Sequence, residues 1–158
     1  MILDSAVIVQ ATTRNMIYRL CRTCRGKVIK AIGEEKYYCH TCREDTTNPE
    51  PHYRLQLTLA CKDELEVFMA FDRAVAGLMG CSAAKFARYL GRHPDLLDIA
   101  EERLIGLHCR VMVQETRRSK KHSQYEPDKV IDQISPLEEG FVPVADRRAM
   151  ERYWETST

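Results

Sequence analysis

The sequence has 158 residues and a formal net charge of +1. A chain of this length can bury a hydrophobic core without disulfide bonds, and a near-neutral total favours no particular partner. No stretch approaches the ~20 apolar residues of a membrane span, and the N-terminus has no basic start followed by a long apolar run. We therefore expect a soluble, intracellular protein that has no membrane partner.

The first predicted elements are a strand and a cysteine-rich module. Residues 6–13 are rich in β-branched side chains and alternate in part, which predicts a strand. Cys21, Cys24, Cys39 and Cys42 follow with the spacing C-x2-C-x14-C-x2-C. Two such pairs can place four thiolates at tetrahedral angles and leave no open position for water, so the spacing predicts a structural Zn²⁺ site. A lone pair would suit a redox dithiol, but a second pair at this distance argues against that alternative.

Basic charge is concentrated around this module. Between Arg14 and Arg43 the sequence holds 8 Lys/Arg residues and 2 acidic residues. A second basic run lies further along the chain and contains Arg117, Arg118, Lys120 and Lys121. Charge runs are usually solvated faces, but two in one small chain favour a polyanionic partner.

Alternation predicts the strands that follow. Residues 27–30 and 35–39 suggest a small hairpin inside the module. Residues 52–60 alternate most cleanly, with one apolar face (Tyr53, Leu55, Leu57 and Leu59) and one polar face (His52, Arg54, Gln56 and Thr58). Residues 64–71 predict the next strand, with Leu65, Val67, Met69 and Phe71 on one face and Phe68 on the other. Core packing and base stacking suit the first of these two faces about equally well.

Helices and two more strands complete the chain. A helix is predicted after Asp72, a plausible N-cap, with a break near Gly80 and a second half that Ser82 caps. A short helix over residues 95–102 follows, then strands over residues 106–114 and 129–135, and a terminal helix over residues 144–156. The remaining cysteines, Cys61, Cys81 and Cys109, are best interpreted as small buried hydrophobic residues.

Five strands with a helix between the third and fourth match the five-stranded OB-fold barrel, whose strand faces and loops bind oligonucleotides. With a four-cysteine ribbon between the first two strands, the sequence resembles the C-terminal DNA-binding domain of the replication protein A large subunit and its paralogues. The matching segments are residues 9–12, the four cysteines with residues 27–29, residues 53–55, 71–73, 78–80 and 110–113, and residues 115–116. The resemblance covers residues 6–156. This sequence differs from the family at Val67, where the family member used for comparison carries a tryptophan.

The resemblance implies a mainly β OB-fold domain over residues 1–143, with the zinc ribbon inserted at about residues 19–45. It also implies that residues 144–158 form a C-terminal helix that joins two smaller OB-fold subunits. The expected function is single-stranded DNA binding in a replication protein A-like complex in the nucleus, acting in DNA replication, repair, recombination or telomere maintenance. The alternative is an interaction adaptor that keeps the fold and makes little DNA contact. The sequence shows no catalytic nucleophile with a matching general base and no open metal site, so we do not expect an enzyme.

Single-strand binding needs cations for phosphates and aromatic faces for bases. The polar strand faces supply Arg54 and Arg110, and the basic run supplies Arg117, Arg118, Lys120 and Lys121. The aromatic candidates are Phe68, Phe71 and Tyr125. We expect Phe68, between Glu66 and Ala70, to be the better stacking platform, because Phe71 shares its face with apolar residues and suits core packing about as well as stacking.

The terminal helix carries its own apolar stripe. Val144, Met150, Tyr153 and Trp154 fall at spacings that can form one face. We favour a seam with partner subunits, since the only Trp of the chain lies there. The alternative is that the helix folds back and closes the bottom of the barrel.

Overall fold

The computed structural model describes residues 1–30, 36–46, 48–114, 129–146 and 150. Its strands in chain order are β1 (Ile2–Thr12), β2 (Ile17–Leu20), β3 (Val28–Lys30), β4 (Tyr37–Cys39), β5 (Glu44–Thr46), β6 (Glu50–Cys61), β7 (Glu64–Phe71), β8 (His108–Val113) and β9 (Lys129–Pro136). Its helices are α1 (Asp72–Met79), α2 (Ala83–Arg92) and α3 (Leu96–Leu104), between β7 and β8. Within the described ranges, no helix has the length and apolar character needed to cross a membrane.

Five strands close into a barrel. The order is β1, β8, β9, β7 and β6, and β6 pairs back with β1 to complete the ring. All of these pairings are antiparallel except that of β7 with β9, which is parallel. β1 reaches both neighbours because its register shifts between Leu3 and Ala6 against β8 and between Ile8 and Gln10 against β6. The predicted OB-fold barrel is confirmed.

The core lies inside this ring and under the helices. Tyr53, Leu55, Leu57 and Leu59 of β6 are fully buried, so the predicted inward face of that strand is confirmed. The Tyr53 hydroxyl donates to the Cys81 and Ser82 carbonyl oxygens at 3.0 and 3.2 Å, which ties β6 to the start of α2. His52 lies on the face opposite Tyr53, as predicted, but this residue is only 8% exposed because the Asp72 carboxylate covers its ring.

The facing of β7 also corrects the sequence prediction. Phe68 lies opposite the inward-facing Leu57 and is 1% exposed, whereas Leu65 and Val67 are 67% and 52% exposed. Both faces of this strand are apolar, so its alternation could not choose between them. The tight turn through Lys62, whose φ is 57°, sets the pairing with β6 and therefore decides which face points inward.

The breaks between the helices follow the sequence signals. α1 ends at Gly80, which has φ 81° and the left-handed conformation that glycine adopts without a steric penalty. The predicted cap of α2 is confirmed, because the Ser82 hydroxyl accepts the Lys85 N–H at 3.2 Å. The predicted cap of α1 is wrong: Phe71 occupies the N-cap position and Asp72 is the first helical residue.

The segment after β9 packs onto α1. The amides of Val144 and Ala145 donate to the carbonyl oxygens of Leu78 and Met79 at 3.0 and 2.7 Å. Val144, Ala145 and Met150 are each at most 2% exposed and belong to the main hydrophobic core. Val144 and Met150 are therefore not free for a partner seam. Tyr153 and Trp154 lie outside the described residues.

Candidate metal centre and nucleic-acid interface

The zinc-ribbon region is a small three-stranded sheet at the end of β2. β4 lies between β3 and β5, and Val28 of β3 is paired with Cys39 of β4. Cys21 and Cys24 follow β2, and Cys42 lies in the turn between β4 and β5. The residues after the second cysteine of each pair, Arg25 and Arg43, have φ values of 61° and 55°. These left-handed residues turn the backbone sharply at each pair, and the two pairs face each other.

The four sulfur atoms form one cluster. All lie within 4.8 Å of one another, with 3.9 Å between the Cys21 and Cys42 sulfurs and 3.4 Å between those of Cys24 and Cys39. A tetrahedral site with Zn–S bonds of about 2.3 Å separates its sulfurs by about 3.8 Å, so the observed spacing fits a metal ion. The amides of Gly26 and Cys42 point at the sulfurs of Cys24 and Cys39 at 3.3 and 3.4 Å. Such N–H groups stabilise thiolates.

The Cys21 and Cys42 thiols differ in acidity. Hydrogen bonds from the backbone at Cys24 and Thr23 lower the pKa of Cys21 to about 6. Hydrogen bonding with Cys24 and burial raise the pKa of Cys42 to about 12. Four clustered thiols cannot all ionise together unless a positive charge compensates them. The residues present therefore suit a cation bound by four thiolates.

The outward face of β6 and β7 brings cationic, polar and apolar side chains together. Arg54 pairs directly with Phe71, and Thr58 pairs with Val67. Arg54 and Gln56 are exposed, and the Phe71 side chain is 38% exposed. β1 extends this face on the other side of β6, because Gln10 pairs with Thr58. We call this surface, with Leu65 at its far end, the β6–β7 face.

Only some of the predicted nucleic-acid residues meet here. Arg54 and Phe71 are neighbours, whereas the expectation for Phe68 is wrong, because a side chain packed inside the barrel cannot stack on a base. Arg110 is exposed on β8, where its Nε lies 3.7 Å from the Asp4 carboxylate. Arg117, Arg118, Lys120, Lys121 and Tyr125 lie outside the described residues. β8 ends at Val113, and β9 begins at Lys129, which pairs with Phe68 on β7.

Val67 and Leu65 are exposed apolar residues of this face that the sequence pattern did not predict to be exposed. A polar cluster around the buried His52, next to Arg54, was not predicted either. The Asp72 carboxylate accepts the Tyr53 N–H at 2.7 Å and hydrogen-bonds His52 Nδ1 at 2.6 Å. His52 Nε2 is buried, makes no hydrogen bond within the described residues, and lies 3.6 Å from Glu50. This cluster joins β6 to the residue after Phe71, and so fixes the position of Phe71 beside Arg54.

The barrel is closed and five-stranded, and it carries the four-cysteine ribbon between its first two strands, β1 and β6. With an exposed face on β6 and β7, these features define an OB-fold domain of the oligonucleotide-binding type. Residues 1–127 match the sequence model of the Replication factor-A C terminal domain family, and the chain belongs to that family. Among curated proteins, no sequence matches this one.

Solved structures share the fold, among them two of replication protein A bound to single-stranded DNA. One is a replication protein A heterotrimer bound to single-stranded DNA, with 18% identity, a TM-score of 0.60 and 96% of this chain covered. This chain spans 34% of that chain, about a third of its length. The other is yeast replication protein A bound to single-stranded DNA, with 15% identity, a TM-score of 0.61, and coverage of 97% of this chain and 82% of that chain.

Proposed function

We propose that this protein binds single-stranded DNA on the β6–β7 face, as an OB-fold domain of a replication protein A-like complex. The observation that carries the proposal is the cross-strand pair of Arg54 and Phe71, a cation and an aromatic ring side by side on an exposed sheet surface. Family membership supports the same role. Binding rather than catalysis is the expected activity.

Each part of the pair has a physical task. A base stacked on the Phe71 ring contributes about 1–3 kcal/mol, and an arginine close to the strand neutralises a phosphate. Val67 and Leu65 continue the apolar surface along β7 for further bases. Arg110 and the basic run at residues 117–121, with Tyr125, would add phosphate and base contacts from the β8–β9 side.

We infer that the cation at the cysteine cluster is Zn²⁺ and that it is structural. Cys21, Cys24, Cys39 and Cys42 would be its four ligands. When bound, the ion neutralises the thiolates and holds the two cysteine pairs together. Its binding energy would be folding energy for the ribbon.

We also propose assembly with smaller OB-fold subunits and a nuclear location. The assembly proposal now depends on Tyr153 and Trp154, because Val144 and Met150 are used in the chain's own core. Nuclear localisation follows from a role on chromosomal DNA. Both proposals draw on the family of the chain.

The test is fluorescence anisotropy of labelled oligothymidine at two salt concentrations. The wild-type protein should bind with a salt slope of about −0.7 for each phosphate it neutralises. Arg54→Ala should lower both the affinity and the slope, while Arg92→Ala, which removes an exposed arginine on α2, should change neither. Equal binding by wild type and by a variant lacking Arg54, Arg117, Arg118, Lys120 and Lys121 would reject the proposal in favour of the adaptor.

A further inference from the structure

A cleft of about 300 Å³ lies between the base of the ribbon and α2, away from the β6–β7 face. It is lined by Arg19, Arg22, Asn48, Pro51, Ala84, Ala87 and Arg88. On β6, Pro51 shares a face with the buried Tyr53, whereas Arg54 points to the other side, because alternate residues of a strand face opposite ways. The cleft and the proposed DNA surface therefore use opposite faces of the same strand.

Three arginines converge on this cleft, and no acidic residue lines it among the described residues. Two are held in place by the protein: Arg22 Nε donates to the Asn48 carbonyl oxygen at 2.6 Å, and the Arg19 guanidinium lies 5.6 Å from the centre of the Tyr37 ring. Arg88 projects from α2, whose ten residues include three basic residues and no acidic one. Within the described residues, none of the three arginines forms an ion pair with a carboxylate. Such preorganised guanidinium groups suit carboxylates, which they can bind with two hydrogen bonds.

The shape of the cleft favours a chain over a small anion. It shares Arg22, Pro51 and Ala84 with a second cavity of about 510 Å³, so that the two form one longer groove. The floor between the arginines consists of small apolar side chains, Pro51, Ala84 and Ala87. A peptide can place carboxylates at the arginines and small side chains on this floor.

The second cavity argues against a nucleic acid. Glu50 and Asp72 line it together with Arg22 and Arg73, so a phosphate backbone that continued along the groove would meet two carboxylates beside the arginines. In addition, none of the described residues that line the arginine cleft is aromatic, whereas single-strand binding sites stack bases on aromatic rings. A peptide can change charge from one residue to the next and so satisfy both halves.

We propose that the groove between the ribbon and α2 is a docking site for a peptide segment of a partner protein, acidic where it meets Arg19, Arg22 and Arg88 and neutral or basic beyond. The arginine end of the groove uses the opposite face of β6 from Arg54, whereas its second cavity reaches Asp72, the residue after Phe71. A peptide bound at the arginine end would leave Arg54 uncovered.

The test uses a short fluorescein-labelled peptide with a glutamate-rich half and an alanine-serine half, and a matched peptide with glutamine in place of glutamate. The full chain should bind the first in a saturable way and not the second. Arg88→Glu should weaken binding about tenfold or more, as expected when a charged hydrogen bond is replaced by repulsion. Arg92→Glu makes the same charge change on the same helix outside the cleft and should leave binding within about twofold.

A second variant tests the cleft without changing charge. Ala84→Phe should fill the exposed floor and weaken peptide binding while the thermal unfolding midpoint stays unchanged. Arg54→Ala and Phe71→Ala should weaken oligothymidine binding and leave peptide binding intact, which separates this proposal from the DNA-binding one. Equal weakening of peptide binding by Arg88→Glu and Arg92→Glu would overturn the proposal. It would also be overturned if oligothymidine displaced the peptide and Arg88→Glu lost affinity for oligothymidine, because the cleft would then be a DNA site.

Discussion

The Asp72 carboxylate accepts the backbone N–H of Tyr53 at 2.7 Å, although Asp72 begins a helix and Tyr53 lies within a barrel strand. The other carboxylate oxygen hydrogen-bonds His52 at 2.6 Å. One side chain therefore ties β6 to the junction of β7 and α1. Phe71, the residue before Asp72, is held beside Arg54 as a result.

Asp72→Ala should lower both stability and DNA affinity. The change leaves the Tyr53 N–H and the buried His52 ring without their acceptor, which costs about 1–3 kcal/mol of unfolding free energy. Urea denaturation measures this loss, and anisotropy measures the change in DNA affinity. Asp132→Ala removes an exposed carboxylate from β9 and should change neither. Full DNA affinity in Asp72→Ala would show that this cluster does not position Phe71.

Phe71→Ala and Phe68→Ala should have opposite consequences. Phe71 is partly exposed, so its loss should weaken oligothymidine binding at all salt concentrations, by about 1–3 kcal/mol for one stacked base. Phe68 is packed inside the barrel, so its loss should cost about 3–5 kcal/mol of unfolding free energy. Titration and urea denaturation of both variants distinguish the two roles. A Phe71→Ala variant with wild-type affinity would contradict the proposed stacking.

Cys39→Ser should abolish metal binding and unfold the ribbon while the barrel stays folded. Cys39 is 1% exposed and supplies one of the four clustered sulfurs. Elemental analysis should find one zinc per wild-type chain and none in the variant. In amide spectra, the signals of Val28–Lys30 and Tyr37–Cys39 should collapse, whereas those of β6 should persist. Cys61→Ser is the matched control and should keep the zinc.

Cys109 should resist alkylation in the folded protein. Its side chain is fully buried, and burial raises the pKa of its thiol to about 12 from the ordinary value of 9.0. Because the folded pKa is raised, this thiol contributes stability below about pH 9 that is progressively lost between pH 9 and 12. Iodoacetamide labelling at pH 8 followed by mass spectrometry should modify the partly exposed Cys61 before Cys109. Faster labelling of Cys109 would contradict this assignment.

Two C-terminal truncations should separate folding from assembly. Deleting residues 144–158 removes the buried Val144 and Met150 and uncovers Leu78 and Met79, and should cost about 3 kcal/mol or more of unfolding free energy. Deleting residues 151–158 keeps those contacts and should leave stability unchanged while removing Tyr153 and Trp154. Analytical ultracentrifugation with smaller OB-fold subunits should then show loss of association. Retained association would reject the assembly role of these two residues.

Local signals in the sequence determined the parts of the protein whose chemistry is local. The spacing of Cys21, Cys24, Cys39 and Cys42 predicted the cluster of four sulfurs, because a tight turn places the two cysteines of a pair together wherever it occurs. Strict alternation predicted the inward face of β6, and Ser82 and Gly80 marked the start of one helix and the end of another. The order of these elements was enough to indicate the OB-fold barrel.

Only the tertiary structure decided which side chains meet. β7 is apolar on both faces, so its pairing with β6, and not its own pattern, placed Phe68 inside the barrel and Phe71 beside Arg54. By its pattern alone, the stripe that contains Val144 and Met150 could pack against a partner or against the chain's own core. In the structure both residues belong to the core, and the Val144 amide donates to the Leu78 carbonyl oxygen. The arginine cleft joins residues of the ribbon, β6 and α2 that lie up to 69 positions apart, from Arg19 to Arg88. Periodicity describes neighbours along the chain, whereas register and packing determine neighbours in space.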